Sequence, residues 1–150
     1  MFDSDRYIGI KHITGGDTFD GCDCLGLVRL FYKEHGWPEE FWDGGEPVTH
    51  ENAHGKKAWN RLLRYFNRRL KKINNPDFLE FGDVVLFNVD GDLHLGIYMQ
   101  EDLILAMAVP VDEGKTKSVL YHKRVWKQAF KKGYRMWKGR DKRCKNFQSE

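Results

Sequence analysis

The sequence predicts an α+β domain in which helices come first and an antiparallel sheet follows. Two observations carry that prediction. Apolar residues recur at helical spacing in two segments of the N-terminal half, at 24, 27, 28 and 31 and again at 59, 62, 63, 66, 70 and 73. Beyond Pro76 the pattern changes to short apolar runs separated by turn residues, the pattern of a meander. A length of 150 residues with 41% hydrophobic and 14% aromatic content is enough for one core. Residues 1–137 are therefore expected to form a single domain, and 138–150, polar and charged with a lone Phe147, a separate tail.

The first helix opens on the stretch around which the rest is organised, Phe19-Asp20-Gly21-Cys22-Asp23-Cys24-Leu25-Gly26-Leu27-Val28. Gly15, Gly16 and Gly21 break the chain ahead of it, and either Asp20 or Asp23 is suited to cap it. Cys24 then falls in the first helical turn, where free N–H groups and the macrodipole favour an anion and so a thiolate. The pattern leaves two readings of Cys24 open, an activated nucleophile and a small buried core residue. Cysteines at 22, 24 and 144 are odd in number and follow no framework spacing, so they read as reduced thiols. The Cys-x-Cys pair lacks a second pair at ligand spacing, so neither a metal nor any cofactor is expected.

The helix should stop near His35-Gly36. Trp37 to Asn52 reads as a surface excursion held down by Trp37, Phe41 and Trp42. A second helix is expected over 56–72, with Trp59, Leu62, Leu63, Phe66, Leu70 and Ile73 inward and a basic exterior, ended by Pro76. Val84-Val85-Leu86-Phe87 is a continuous apolar run suited to a strand covered on both sides. Asn88 to Asp92 turns the chain into a strand from His94 to Met99, and Gln100-Glu101-Asp102 turns it again into Leu103 to Val109. Short strands at 117–121 and 133–137 flank a helical turn at 123–130.

Of the six histidines, His94 opens a strand whose next residue on the same face is Gly96. A missing side chain there lets another backbone, such as the head of the Cys24 helix, approach beside the imidazole. A Cys-His pair so formed would activate a nucleophile, while a histidine capping a sheet edge is the alternative. Charge is unevenly spread: residues 1–51 carry eleven acids and four bases, and 52–74 carry eight bases and no acid. Such segregation suggests an acidic partner or a solvated helix face. Nucleic-acid binding is not expected, because the aromatic residues of the basic helix are spoken for by the core. No apolar run approaches the ~20 residues needed to span a bilayer, and the N-terminus has no signal-peptide pattern, so no membrane insertion is expected.

Three boxes, in order and in register, resemble the NlpC-type peptidoglycan endopeptidases, papain-like enzymes of bacteria and phages. Asp23-Cys24-Leu25-Gly26-Leu27-Val28 resembles their Asp-Cys-Ser-Gly-Leu-Val box, Gly82-Asp83-Val84-Val85-Leu86-Phe87 their Gly-Asp-Leu-Val-Phe-Phe strand, and His94-Leu95-Gly96-Ile97-Tyr98 their His-Val-Gly-Ile-Tyr strand. The resemblance implies a papain-like fold with Cys24 as nucleophile and His94 as general base. It also implies a peptidoglycan stem peptide as substrate, typically cut after γ-D-glutamyl. Tyr7-Ile8-Gly9-Ile10 and Phe19-Asp20-Gly21 look most like the variant encoded among phage tail genes. That likeness implies phage tail proteins as partners, synthesis in the host cytoplasm and a place at the virion tail tip.

One departure stands out. The family usually sets a polar residue, often His, twelve positions after the base to orient it, and here that position is Ala106. Geometry agrees: with 100–102 closing the hairpin, 104, 106 and 108 share a face with 94, 96 and 98, at ~5 Å between cross-strand Cβ atoms. Tyr7, Asp23 and His12 are the remaining candidates for contact with the site, His12 because it falls where the family tends to place an aromatic. A structural tail component with weak or lost activity is the rival expectation, resting on Ala106, the absence of a wall-binding module and the charged tail.

Overall fold

The computed structural model describes residues 5–42 and 56–137. After a 3₁₀ turn at Asp5–Tyr7, strand β1 (Asp17–Thr18) folds back on β2 (Gly21–Cys22), and helix α1 (Cys24–Glu34) follows at once. Asp23, not Asp20, caps it: its backbone is extended and its Oδ1 accepts the Gly26 N–H at 2.7 Å. The far end closes as the spacing predicts. Gly36 takes a φ of +70°, its N–H donates to the Lys33 carbonyl, and the Trp37 N–H donates to the Tyr32 carbonyl, which is a Schellman ending. The apolar contact that accompanies such an ending is the edge-on packing of Trp37 against Tyr32 at 5.0 Å.

Helix α2 (Lys56–Arg69) leads directly into strand β3 (Leu70–Ile73). After a 3₁₀ turn at Pro76–Phe78 come β4 (Val84–Val89), β5 (Asp92–Tyr98), β6 (Leu103–Met107) and β7 (Ser118–His122). A short helix α3 (Lys123–Trp126), a further 3₁₀ turn and β8 (Phe130–Met136) complete the described chain. The six-stranded sheet runs β3-β8-β4-β5-β6-β7, antiparallel at every step. Two-residue turns make its hairpins: Asp90 and Gly91 both have positive φ between β4 and β5, as do Glu101 and Asp102 between β5 and β6.

The helices pack on one face of this sheet. Leu27, Val28 and Phe31 of α1 and Phe66 of α2 are fully buried in one cluster with Val84, Leu86, Leu95, Ile97, Leu105 and Met107. Each such side chain contributes roughly 1.5–3 kcal/mol by leaving water. The opposite face holds a smaller cluster of Val85, Phe87, Ile104, Ala106 and Trp126, closed by Ile73 and Leu79. β4 is therefore covered on both sides, as its unbroken apolar run requires.

The second helix is shorter than its apolar spacing suggests. Leu70 and Ile73 fall at helical intervals from Phe66, yet the chain is extended from Leu70, which pairs with Met136 while Ile73 pairs with Gly133. Pairing with β8 sends the two residues to different clusters on opposite faces, which one helix stripe cannot do. Pro76 accordingly opens a 3₁₀ turn instead of ending a helix. The strand expected over 103–109 stops at Met107, and Val109-Pro110 is a cis peptide.

The excursion after α1 is pinned at its start. Trp37 and Phe41 are buried, whereas Trp42, also expected to pack inward, is 50% exposed. Glu39 is buried between the Tyr65 hydroxyl and the Phe41 N–H, with Arg69 3.8 Å away. These contacts tie the loop to α2. Residues 43–52 of the excursion, the tail 138–150 and Cys144 lie outside the described residues.

At the N-terminal side, residues 9–12 run beside β7. Gly9 N–H donates to the Ser118 carbonyl and Ser118 N–H to that of Ile10, while the buried Ser118 hydroxyl donates to the Tyr7 carbonyl and accepts from the Ile10 N–H. Lys11 bridges Lys117, and His12 in turn bridges Cys22 in parallel. A backbone path thus joins the sheet to the turn that carries Cys24.

Candidate active site

Glycines set the shape of the turn before α1. A Cβ on Gly26 would lie 1.7 Å from the Gly16 carbonyl oxygen, so only glycine lets that loop rest on the first turn of the helix. The same carbonyl accepts the Asp23 N–H at 3.2 Å, and Asp23 Oδ2 accepts the Gly15 N–H at 2.8 Å. Burial raises the Asp23 pKa, opposed by the Gly15 and Gly26 N–H groups and by the charges of His12 and Arg29. The cap is held in place by the backbone around it.

Cys24 stands at the head of α1, partly exposed, and Cys22 is fully buried. The backbone N–H groups of Leu95, Leu25 and Cys24 itself favour the Cys24 thiolate. Desolvation outweighs them and the Asp23 charge adds to it, so the thiol is pushed up to about 12. The helix-dipole expectation of a low pKa is therefore reversed, because the position that supplies the dipole is also one the core desolvates. Cys22 is likewise pushed up to about 12, by burial first and then by Asp23.

Cys24 packs against the cluster that contains Leu95 of β5, the residue next to His94. His94 is half-buried and stacks on Phe87, its direct partner on β4, with ring centroids 5.6 Å apart. Gly96 accommodates a neighbour other than the one expected. A Cβ there would meet the Leu105 carbonyl at 3.0 Å and the Ala106 methyl at 3.2 Å, both on β6, and not the head of α1. The register pairs Gly96 with Ala106, so residue 106 lies on the His94 face as the hairpin argument required. Ala106 is fully buried in the cluster with Phe87 and Ile104.

Tyr7 lies away from the thiol. Its ring packs on Phe31 at 5.1 Å and near His35 and Phe19, about two helical turns along α1 from Cys24. His12 is buried beside the Cys22 strand, and its Nδ1 faces Glu113 Oε2 at 3.4 Å. Sequence reading missed Glu113, which sits in the irregular segment between β6 and β7, ninety-nine residues from the Thr14 it binds; no local pattern signals that pairing. It also missed the role of the Gly82-Asp83 box. Asp83 is fully buried and accepts two hydrogen bonds from Arg135 of β8, at 2.7 and 2.9 Å, while Glu80 pairs with the same guanidinium at 3.1 Å. Among the described residues no three His, Cys, Asp or Glu side chains gather as metal ligands.

The fold is similar to that of the NlpC/p60 domain of the peptidoglycan hydrolase SagA, with a TM-score of 0.51 and 16% identity over 89% of this chain and 92% of that one. No curated protein matches the sequence. The NlpC/P60 family matches residues 9–135, a span that contains the Cys24 turn, the Asp83 strand and the His94 strand. The chain belongs to the NlpC/P60 family.

Proposed function

We propose that the protein is a cysteine endopeptidase that cuts peptidoglycan stem peptides, with Cys24 as nucleophile and His94 as general base. The observation that supports this reading is the packing of Cys24, at the head of α1, against the cluster that contains Leu95, the residue next to His94 on β5. Because the thiol is held neutral at rest, proton transfer to His94 accompanies attack on the scissile carbonyl. His94 then gives that proton to the leaving amine as the C–N bond breaks; a water molecule, deprotonated by His94, attacks the acyl carbon, and the C–S bond breaks as His94 returns the proton to the sulfur. The Tyr7-Ile8-Gly9-Ile10 and Phe19-Asp20-Gly21 boxes support a place among phage tail proteins, with action on the wall in infection or tail assembly.

Incubation with host peptidoglycan and mass spectrometry of the soluble fraction tests the activity. Stem-peptide fragments should appear with the native protein and not with Cys24→Ala. Ala106 favours a second reading, a structural tail component that keeps the fold without turnover. Release of no fragments, together with protein found at the tail tip by immunogold labelling, would select that reading.

A further inference from the structure

Phe87 lies against the imidazole of His94, and three features of the sheet put it there. The first is register. The two residues stand directly opposite each other on β4 and β5, so their side chains share one face of the sheet, and the rings stack with centroids 5.6 Å and planes 27° apart. The second is space. Gly96 and Ala106, paired across the next ladder, carry only one methyl between them, and the Phe87 ring leans into the room they leave: its Cε1 stands 3.5 Å from where a Cβ on Gly96 would be.

The third is a bulge. Val84, Val85 and Leu86 pair in step with Tyr134, Gly133 and Lys132, and Phe87 then pairs with Phe130, so that Lys131 is skipped. In unbroken register the exposed Lys131 would flank Phe87. The bulge sets Phe130 there instead, packed on the same cluster with its ring 6.3 Å from that of the buried Trp126. Phe87 itself is 3% exposed, among Val85, Ile104, Ala106 and Trp126. A ring fixed on so many sides is a rigid platform, and an imidazole stacked on it leaves that contact if it turns about its side-chain bonds. A general base works best when the groups that hold it are themselves locked by packing.

We propose that Phe87 is a positioning residue that sets the plane and rotamer of His94, beside the methyl that stands where the resemblance implies an orienting side chain. A stacked ring fixes direction only. It does not select which imidazole nitrogen carries the proton, so the ring of Phe87 and a polar group at 106 answer different needs. The inference rests on the reading of His94 as general base, but its first test needs no substrate.

That test is NMR of the full chain, in which the Hα–Hβ couplings of His94, assigned by their loss in His94→Gln, report its χ1 rotamers. The wild type should show one rotamer. Phe87→Leu and Phe87→Met, both apolar and without a ring, should show averaging, while Phe87→Tyr keeps the ring face and should keep the one rotamer. On a stem-peptide substrate the ringless variants should lose about ten- to a hundredfold in kcat, the scale of a misplaced catalytic group, with KM unchanged, and Phe87→Tyr should regain most of the loss. A purely structural role would lower the melting temperature and leave His94 in one rotamer, and that result in both ringless variants would overturn the proposal. So would a rise in KM with kcat unchanged, which would make Phe87 a substrate contact. If neither ringless variant folds, the wild type decides: cross-relaxation between the His94 and Phe87 rings with one rotamer upholds the proposal, and a His94 averaged among rotamers overturns it. If the protein cuts no stem peptide, the couplings still give their answer, so failure of the peptidase reading stays distinguishable.

Discussion

Gly96 and Ala106 stand directly opposite each other across the β5–β6 ladder, so close that a Cβ on Gly96 would come within 3.2 Å of the Ala106 methyl. Residue 106 is where the resemblance implies an orienting side chain, and a buried methyl packed against Gly96 stands there instead. Ala106→His should therefore cost about 1–3 kcal/mol by overpacking, read as a lower melting temperature. If tautomer control of His94 is what the site lacks, the same variant should raise stem-peptide hydrolysis by up to ~10⁴-fold, the scale seen when an orienting residue is lost from a serine protease triad. The gain must vanish when Cys24→Ala is added.

Alkaline pH should loosen the fold through its buried acids. Cys22 and Cys24 are raised from 9.0 to about 12 and Tyr65 from 10.0 to about 12, each chiefly by burial. A raised folded-state value means that the stability linked to the neutral form is complete below the unfolded value and drains away as pH climbs towards the folded one. Melting temperature should thus be level to about pH 9 and fall beyond it. Cys22→Ala, measured over the same range, should show a shallower fall; an identical slope would mean that the Cys22 thiol is not the group being titrated.

Gly26 and Gly36 offer opposite tests of why a glycine is needed. Gly26→Ala drives a Cβ into the Gly16 carbonyl, a backbone atom, so the turn and the helix must part. The expected loss exceeds the ~1–3 kcal/mol of ordinary overpacking, with Cys22 newly reactive to thiol reagents. Gly36 has open space around it but a φ of +70°, so Gly36→Ala should cost only the left-handed strain of ~1–2 kcal/mol and leave thiol reactivity unchanged. Urea midpoints and thiol titration separate the two.

Asp83→Ala takes the buried carboxylate from the Arg135 guanidinium, leaving it with the exposed Glu80 and the Phe78 carbonyl, and should cost about 3–5 kcal/mol, the range for breaking a buried pair. Adding Arg135→Met should recover part of that loss, because that cation is then gone. A double-mutant cycle in chemical denaturation measures the coupling. Strictly additive effects would show that the pair contributes nothing beyond its separate contacts.

Local chemistry made much of this protein readable. The 3.6-residue period and the Gly36 stop define α1, and the apolar run at Val84–Phe87 gives a strand covered on both faces. The hairpin turn at 100–102 was enough to put residue 106 on the His94 face. What sequence reading missed depends on distant partners. Leu70 and Ile73 keep helical spacing, and only pairing with β8, some sixty residues later, makes them a strand. The thiol followed the same rule: position in the helix argues for an anion, while the desolvation that wins comes from packing that no local window contains. Glu113 and Arg135 were invisible for that reason too.

The backbone contacts between residues 9–12 and β7 reach beyond the site. β7 is the last strand of the six-stranded sheet, and an uncovered last strand offers a row of free N–H and C=O groups to any passing chain. Here Gly9 and Ile10 occupy the first place in that row, at Ser118, His12 bonds Thr116 just ahead of the strand, and the lysines of the Lys11–Lys117 bridge face solvent between them. The same few residues that carry His12 to the nucleophile's turn thus cover the start of that edge, so damage to this segment would open it to pairing with another chain.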